Sequence, residues 1–284
     1  MARSRRAPPA KWQGVRSSVR QLRAASAASC TIRRMGTSHL RAMFCGLAMM
    51  LVADAASLLA DTPPRLASAR QMVLVITPGW NDVRGELRRF ERGAAGQPWR
   101  AVGAAGSIVV GKNGTAWDPL IAPAVAGPQK AEGDGRSPAG VFPLGRAFGF
   151  APASEASWLK MPYLPVVEGI ECVDDSTSTV YNQIVDRRQV RTPDWNSSEK
   201  MREVGEAYRW GVVVDYNTPA VAKRGSCIFL HIGGEGGKGT AGCTAMSTDE
   251  LRAVMAWLDP DTSPVLVQLP RAAYDKLRGE WSLP

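Results

Sequence analysis

Histidine is nearly absent from this chain: its 284 residues include two, His39 and His231. That scarcity excludes a centre ligated by several imidazoles. Cysteine is sparse as well. There are five, and no two stand at a C-x-x-C spacing, which removes the usual zinc-site pattern. Long hydrophobic runs are missing too. The main apolar stretch, "AMFCGLAMMLVADAASLLA", is interrupted by Asp54 and is short for a membrane span. No internal repeat appears. Finally, the body of the chain has no excess of positive charge. The net charge is +9, but residues 1–60 hold ten Lys/Arg against the single acid Asp54, and residues 61–284 hold 25 of each sign. A nucleic-acid-binding domain carries a basic footprint of its own, so no nucleic-acid partner is expected.

The basic excess belongs to a leader. Residues 1–34 are rich in Arg, Ser and Ala, without periodicity, and are expected to be disordered. The flank "HLR" then precedes the apolar stretch, and Ala53-Asp54-Ala55 gives an A-x-A-like cleavage pattern. This is the layout of a signal peptide, with Met35 placed as a start of ordinary length. An uncleaved leader would instead anchor the chain to the membrane. The expected location is outside the cytoplasm, in the periplasm or cell envelope.

Export changes what the cysteines mean. Cys30, Cys45 and His39 fall in the leader, so the mature chain keeps Cys172, Cys227, Cys243 and one histidine, His231. Exported cysteines tend to pair, and an odd one is a candidate reactive thiol. For Cys172 and Cys227, two reduced, buried side chains are the favoured expectation, with a disulfide as the alternative.

Past a linker at 61–70, short β-branched runs punctuated by Gly and Pro predict a mostly β domain over 71–268. "QMVLVI" reads as a strand. "PWRAVG" and "GSIVVGK" read as two strands split by glycines, and "YLPVVEGIECV" and "TVYNQIV" as two more. "NSSEKMREVGEAY" reads as a polar helix capped by Ser197 or Ser198. "YRWGVVVDYN" and "GSCIFLHI" are the strongest strands, and alternation in the second places Cys227, Phe229 and His231 on one face. "STDELRAVMAWL" carries a capping box, Ser247 with Glu250, and a buried stripe of Leu251, Val254, Met255 and Leu258. "SPVLVQLP" is a last strand, followed by a helical tail at 269–284.

The chemistry concentrates in "CIFLHIGGEGGKGTAGCTAMS", Cys227–Ser247. A free thiol is only a few per cent thiolate at neutral pH, so a nucleophilic cysteine needs a base beside it. His231 ends a strand, and a glycine-rich loop can return Cys243 to it. Gly242 suits a tight turn that aims amide N–H groups at a carbonyl, as an oxyanion hole requires. Two other readings fit the same residues: a buried cysteine with a structural histidine, and a zinc site of Cys227, His231 and Cys243. Asp174, Asp175 and Asp186 are read as solvated turn carboxylates.

"HIGG…GTAGCTAM" resembles the His…[Ser/Thr]-x-Gly-Cys signature of the L,D-transpeptidase (YkuD-type) catalytic domain. "EGDGRSPAGVF", "DWNSSEKMR" and "GVVVDYN…GSCIFLHI" resemble one branch of that family, and the likeness extends over residues 100–268. It implies an L,D-transpeptidase-like β-sandwich or open barrel with a few short helices. It also implies a peptidoglycan L,D-transpeptidase: a cysteine thiolate attacks the bond between a diamino-acid residue and a terminal D-alanine of a stem peptide, and the thioester is resolved by an amine of a neighbouring stem. Resolution by water would make the chain a carboxypeptidase or endopeptidase; without chemistry it would be a wall-binding module. By position, Cys243 is the nucleophile, His231 its base, the Ile232 carbonyl the orienter of the imidazole, and the amides of Gly242 and Cys243 the oxyanion donors. No metal or organic cofactor is implied. The chain departs from the signature at Ala245, where many members carry Arg or Asn, and at Ala241, where many carry His. Arg136, Lys238 and Thr244 are the candidates for substrate binding.

Overall fold

The computed structural model describes residues 63–121 and 123–284. The expected disordered leader and signal peptide lie outside the described residues. Thirteen strands follow in order: β1 (Gln71–Thr77), β2 (Arg84–Glu91), β3 (Arg100–Val109), β4 (Thr115–Trp117), β5 (Ser137–Gly149), β6 (Tyr163–Pro165), β7 (Ile170–Cys172), β8 (Ile184–Asp186), β9 (Glu199–Lys200), β10 (Trp210–Val214), β11 (Phe229–Ile232), β12 (Thr244–Met246) and β13 (Val265–Pro270). Three short α-helices are α1 (Pro64–Ser68), α2 (Thr248–Trp257) and α3 (Arg271–Leu277). No helix among the described residues is long and apolar enough to cross a membrane.

The large sheet runs β10-β11-β12-β3-β2-β1-β13-β5, and β5 pairs again with β10. Eight strands therefore close into a barrel, the mostly β architecture that the sequence implied. Closure removes the unpaired edges that an open sheet would expose. A second sheet, β8-β7-β9, lies apart from this path.

Alternation along each strand divides the packing into an inside and an outside. Val73 and Val75 of β1 point inward, where Leu230, Met246, Val212 and Leu266 meet the stripe of α2, Leu251, Val254, Met255 and Leu258. Met72 and Leu74 point outward, under Leu66 of α1 and Tyr274, Leu277 and Trp281 of the C-terminal segment. Such two-sided burial suits the continuous apolar run of β1 and its parallel pairing with β13. Truncating a fully buried leucine such as Leu251 costs about 2–5 kcal/mol. A third cluster lies on the outer wall, where Phe148, Phe229 and Cys243 meet Ile170, Cys172, Met201 and Tyr208. The small sheet thus covers the stretch of wall that carries the candidate nucleophile.

Several local expectations differ from the fold. The two strands expected around Gly103 and Gly106 are one strand, β3. Gly103, with φ +69, sits at a register shift against β2, so the glycine bends the strand rather than ending it. The polar helix expected over "NSSEKMREVGEAY" is absent. Glu199 and Lys200 pair with β7, Gly205 turns at φ +78, and a 3-10 turn covers Gly205–Tyr208. Ser197 and Ser198 donate to Asp174 and Glu171 instead of capping a helix. The 61–70 stretch read as a linker carries α1, with Leu66 buried, and the tail contributes Trp281 and Leu283 to the same core.

Candidate active site

Parallel pairing of β11 with β12 sets Leu230 opposite Thr244 and His231 opposite Ala245. Extending that register sets Phe229 beside Cys243. Phe229, His231, Cys243 and Ala245 therefore share the outer face of the barrel, and Leu230 and Met246 fill its interior. His231 also pairs with Gly211 of β10. A Cβ on Gly211 would lie 2.2 Å from the Phe148 ring, so the missing side chain makes room for that ring on the strand beside the histidine.

The peptide after Cys243 is held firmly. The Cys243 carbonyl accepts from Thr240 Oγ1 at 2.6 Å and from Ser137 Oγ at 2.9 Å. Ser137 Oγ in turn accepts from the Gly111 amide at 2.9 Å. His231 Nδ1 lies 2.8 Å from the Ile232 carbonyl. A proton on Nδ1 satisfies that contact and leaves Nε2 as the basic nitrogen.

The thiol is buried, at 7% exposure. Sγ accepts from the Phe229 amide at 3.3 Å and donates to the Cys227 carbonyl at 3.4 Å. Burial, reinforced by the charge of Glu199, pushes the thiol up to about 12. Burial also lowers His231, against the opposing pull of its bond to Ile232. The resting pair is therefore a neutral thiol and a neutral imidazole, with the S–H turned to a backbone carbonyl.

The disulfide is formed: Cys172 is bonded to Cys227, closing a sequence separation of 55 residues. This corrects the expectation of two reduced cysteines. It also takes Cys227 out of a metal-ligand set with His231 and Cys243. Cys227 lies outside β11 at φ +55, so it does not share the strand face expected for it. Among the described residues, Cys243 is the free thiol.

The remaining sequence candidates are placed as follows. The Gly242 amide, expected to face an oxyanion, donates to Thr240 Oγ1 at 3.1 Å. Thr244 is buried on the opposite face from Cys243, and its hydroxyl donates to Gln268 Oε1 at 2.7 Å. Arg136 is engaged by the scaffold: its guanidinium donates to the carbonyls of Trp80 and Thr115 and to Asn81 Oδ1. Lys238 is exposed on the glycine-rich loop. Asp175 and Asp186 are held low by hydrogen bonds, chiefly from Thr177 and Arg188 respectively.

Two neighbours of the thiol had no signal in the sequence. Tyr208 is buried, and its ring packs edge-on against His231 at 5.3 Å and Phe229 at 5.6 Å. Burial above all holds its hydroxyl protonated. Glu199 is pushed up to about 7 by burial, with Tyr208 opposing, and its Oε2 is buried without a hydrogen-bond partner.

Residues 99–267, well over half of the chain, match the family model YkuD, the L,D-transpeptidase catalytic domain. No curated protein and no solved structure matches.

Proposed function

The chain belongs to the YkuD family of L,D-transpeptidase catalytic domains, and on that premise we propose that it is an exported cysteine acyltransferase that builds cross-links between peptidoglycan stem peptides. One observation supports this above the others: Cys243 and His231 share one face of adjacent strands, with the imidazole oriented through Nδ1 by the Ile232 carbonyl. A donor tetrapeptide displaces the covering groups, and the S–H turns from the Cys227 carbonyl. His231 Nε2 takes the thiol proton as Sγ attacks the carbonyl of the diamino-acid residue. The Cys243 amide, with the Gly242 amide released from Thr240, holds the oxyanion. The C–N bond breaks, the proton passes from His231 to the leaving amine, and D-alanine departs from a thioester. An acceptor amine gives its proton to His231 and attacks the thioester. Collapse returns the proton to Sγ and leaves a cross-link. No step calls for a metal or an organic cofactor.

Incubation with a disaccharide-tetrapeptide, followed by intact mass and product analysis, tests this. A thioester adduct on Cys243, D-alanine release and a dimeric product are expected. A tripeptide product alone would replace transpeptidation with carboxypeptidase or endopeptidase chemistry on the same thioester. Absence of both adduct and turnover across several stem peptides would leave a wall-binding module.

A further inference from the structure

A ladder of aligned residues crosses four strands of the outer wall. His231 is opposite Ala245, Ala245 opposite Val109, and Val109 opposite Arg84. Laterally paired residues project from the same face of a sheet, so Arg84 shares the face of His231 and Cys243. Three strand spacings separate the ends of the ladder, about 14 Å between Cα positions. Over the Arg84–Val109–Ala245 part of the ladder, one strand short of His231, lies a groove of about 360 Å³, lined by these three with Gly233, Glu235 and Ser247 among others.

Three features fit this groove to a ligand with a negative group. First, its floor is low: Ala245 stands where a long side chain would occupy the space. Second, Arg84 is exposed and free of hydrogen bonds and ion pairs among the described residues, unlike Arg136, which is spent on the scaffold. Third, the loop is shaped around the guanidinium. Gly237 has φ +70, and a Cβ there would come within 2.1 Å of Arg84 Nη2. The loop backbone can pass close to the guanidinium because that residue has no side chain.

We propose that Arg84 is a specificity residue that binds the free carboxylate at the end of the donor's diamino-acid side chain, with Glu235 on the same groove taking the neighbouring ammonium. The inference rests on the transpeptidase reading, and it adds the chemistry of the side chain selected. An attacked carbonyl at Cys243 leaves that side chain to run along the ladder. A guanidinium offers a planar fork that matches a carboxylate. A diamino acid whose distal carboxylate is amidated, or one that lacks it, would leave the fork unmatched.

The test uses two donor tetrapeptides, one with the distal carboxylate free and one with it amidated, and reads D-alanine release. The wild-type chain is expected to favour the free acid by about tenfold or more in kcat/KM, the scale of a charged hydrogen bond. Arg84→Gln should bring that ratio close to one, chiefly through KM. Arg84→Lys should keep part of it, and Gly237→Ala, which displaces the guanidinium, should behave like Arg84→Gln. Calorimetric binding of both peptides to Cys243→Ala reads the same preference without turnover. An inactive wild-type chain would thus sink the transpeptidase reading while leaving the groove tested. Equal affinity for the two peptides in the Arg84 chain, or a preference that persists in Arg84→Gln, overturns the proposal. So does a preference confined to the acceptor step.

Discussion

The resting state of Cys243 has a consequence that chemical labelling can measure. Iodoacetamide reacts with the thiolate. Burial moves the thiol from an ordinary 9.0 to about 12. At pH 7 that leaves thiolate in roughly one molecule in a hundred thousand, where an ordinary thiol has roughly one in a hundred. Alkylation at Cys243, followed by peptide mass spectrometry, should therefore be at least about a thousandfold slower in the folded chain than in the chain unfolded by urea. Steric cover can only widen the gap. The rate should climb about tenfold per pH unit from 7 to 10 with no plateau. Glu199 is the second cause of the upward push, so Glu199→Gln should raise the rate. A folded rate within tenfold of the unfolded one, or a plateau below pH 9, would show a thiolate already formed beside His231. The neutral-pair description would then be wrong.

Three other perturbations follow from the same contacts. His231→Asn should lower kcat/KM for D-alanine release by about 10²–10⁴, the usual scale of general base catalysis. In the wild-type chain the acid limb should fall below pH 6.5, because burial lowers His231; a limb above 7 would contradict this. Replacing Cys172 and Cys227 together with serine opens a cross-link across 55 residues and should cost about 4 kcal/mol in urea unfolding; a change under about 1 kcal/mol would count against a native disulfide. Glu199 sits above its ordinary 4.5 at about 7, so the folded state holds that proton more tightly than the unfolded chain does. Its contribution is present below pH 4.5 and is lost as pH rises towards 7, by about 3 kcal/mol. Urea melts of Glu199→Gln should lack that decline, and an unchanged pH profile would refute the burial assigned to the carboxyl.

What was legible in the sequence was short-range. The cap of α2, with Ser247 accepting from the Glu250 amide, and its stripe of Leu251, Val254 and Met255 can be read from spacing alone. So can β1, β13 and the placement of His231 near the end of a strand. The strand β2 is too charged, in "RGELRRFE", to show an apolar alternation, and only Leu87 and Phe90 of it are buried. "NSSEKMREVGEAY" has helical composition, but Ser197 and Ser198 find carboxylates 23 and 27 residues away. Tertiary partners override local propensity there. Tyr208 and Glu199 reach the thiol only because the small sheet folds over the barrel wall, and no local pattern encodes that. Arg136 looks like a free cation in "GDGRSPAG"; its carbonyl partners Trp80 and Thr115 become visible only once the chain is folded.

The parallel seam between β1 and β13 joins stretches that begin at Gln71 and Val265. A ribosome must therefore reach β13 before the ring of strands can shut. Until then the earliest strand waits without its final neighbour, and non-local pairing of this kind is slow to form. A nascent molecule of this design keeps its wall open until the strand that seals it has emerged.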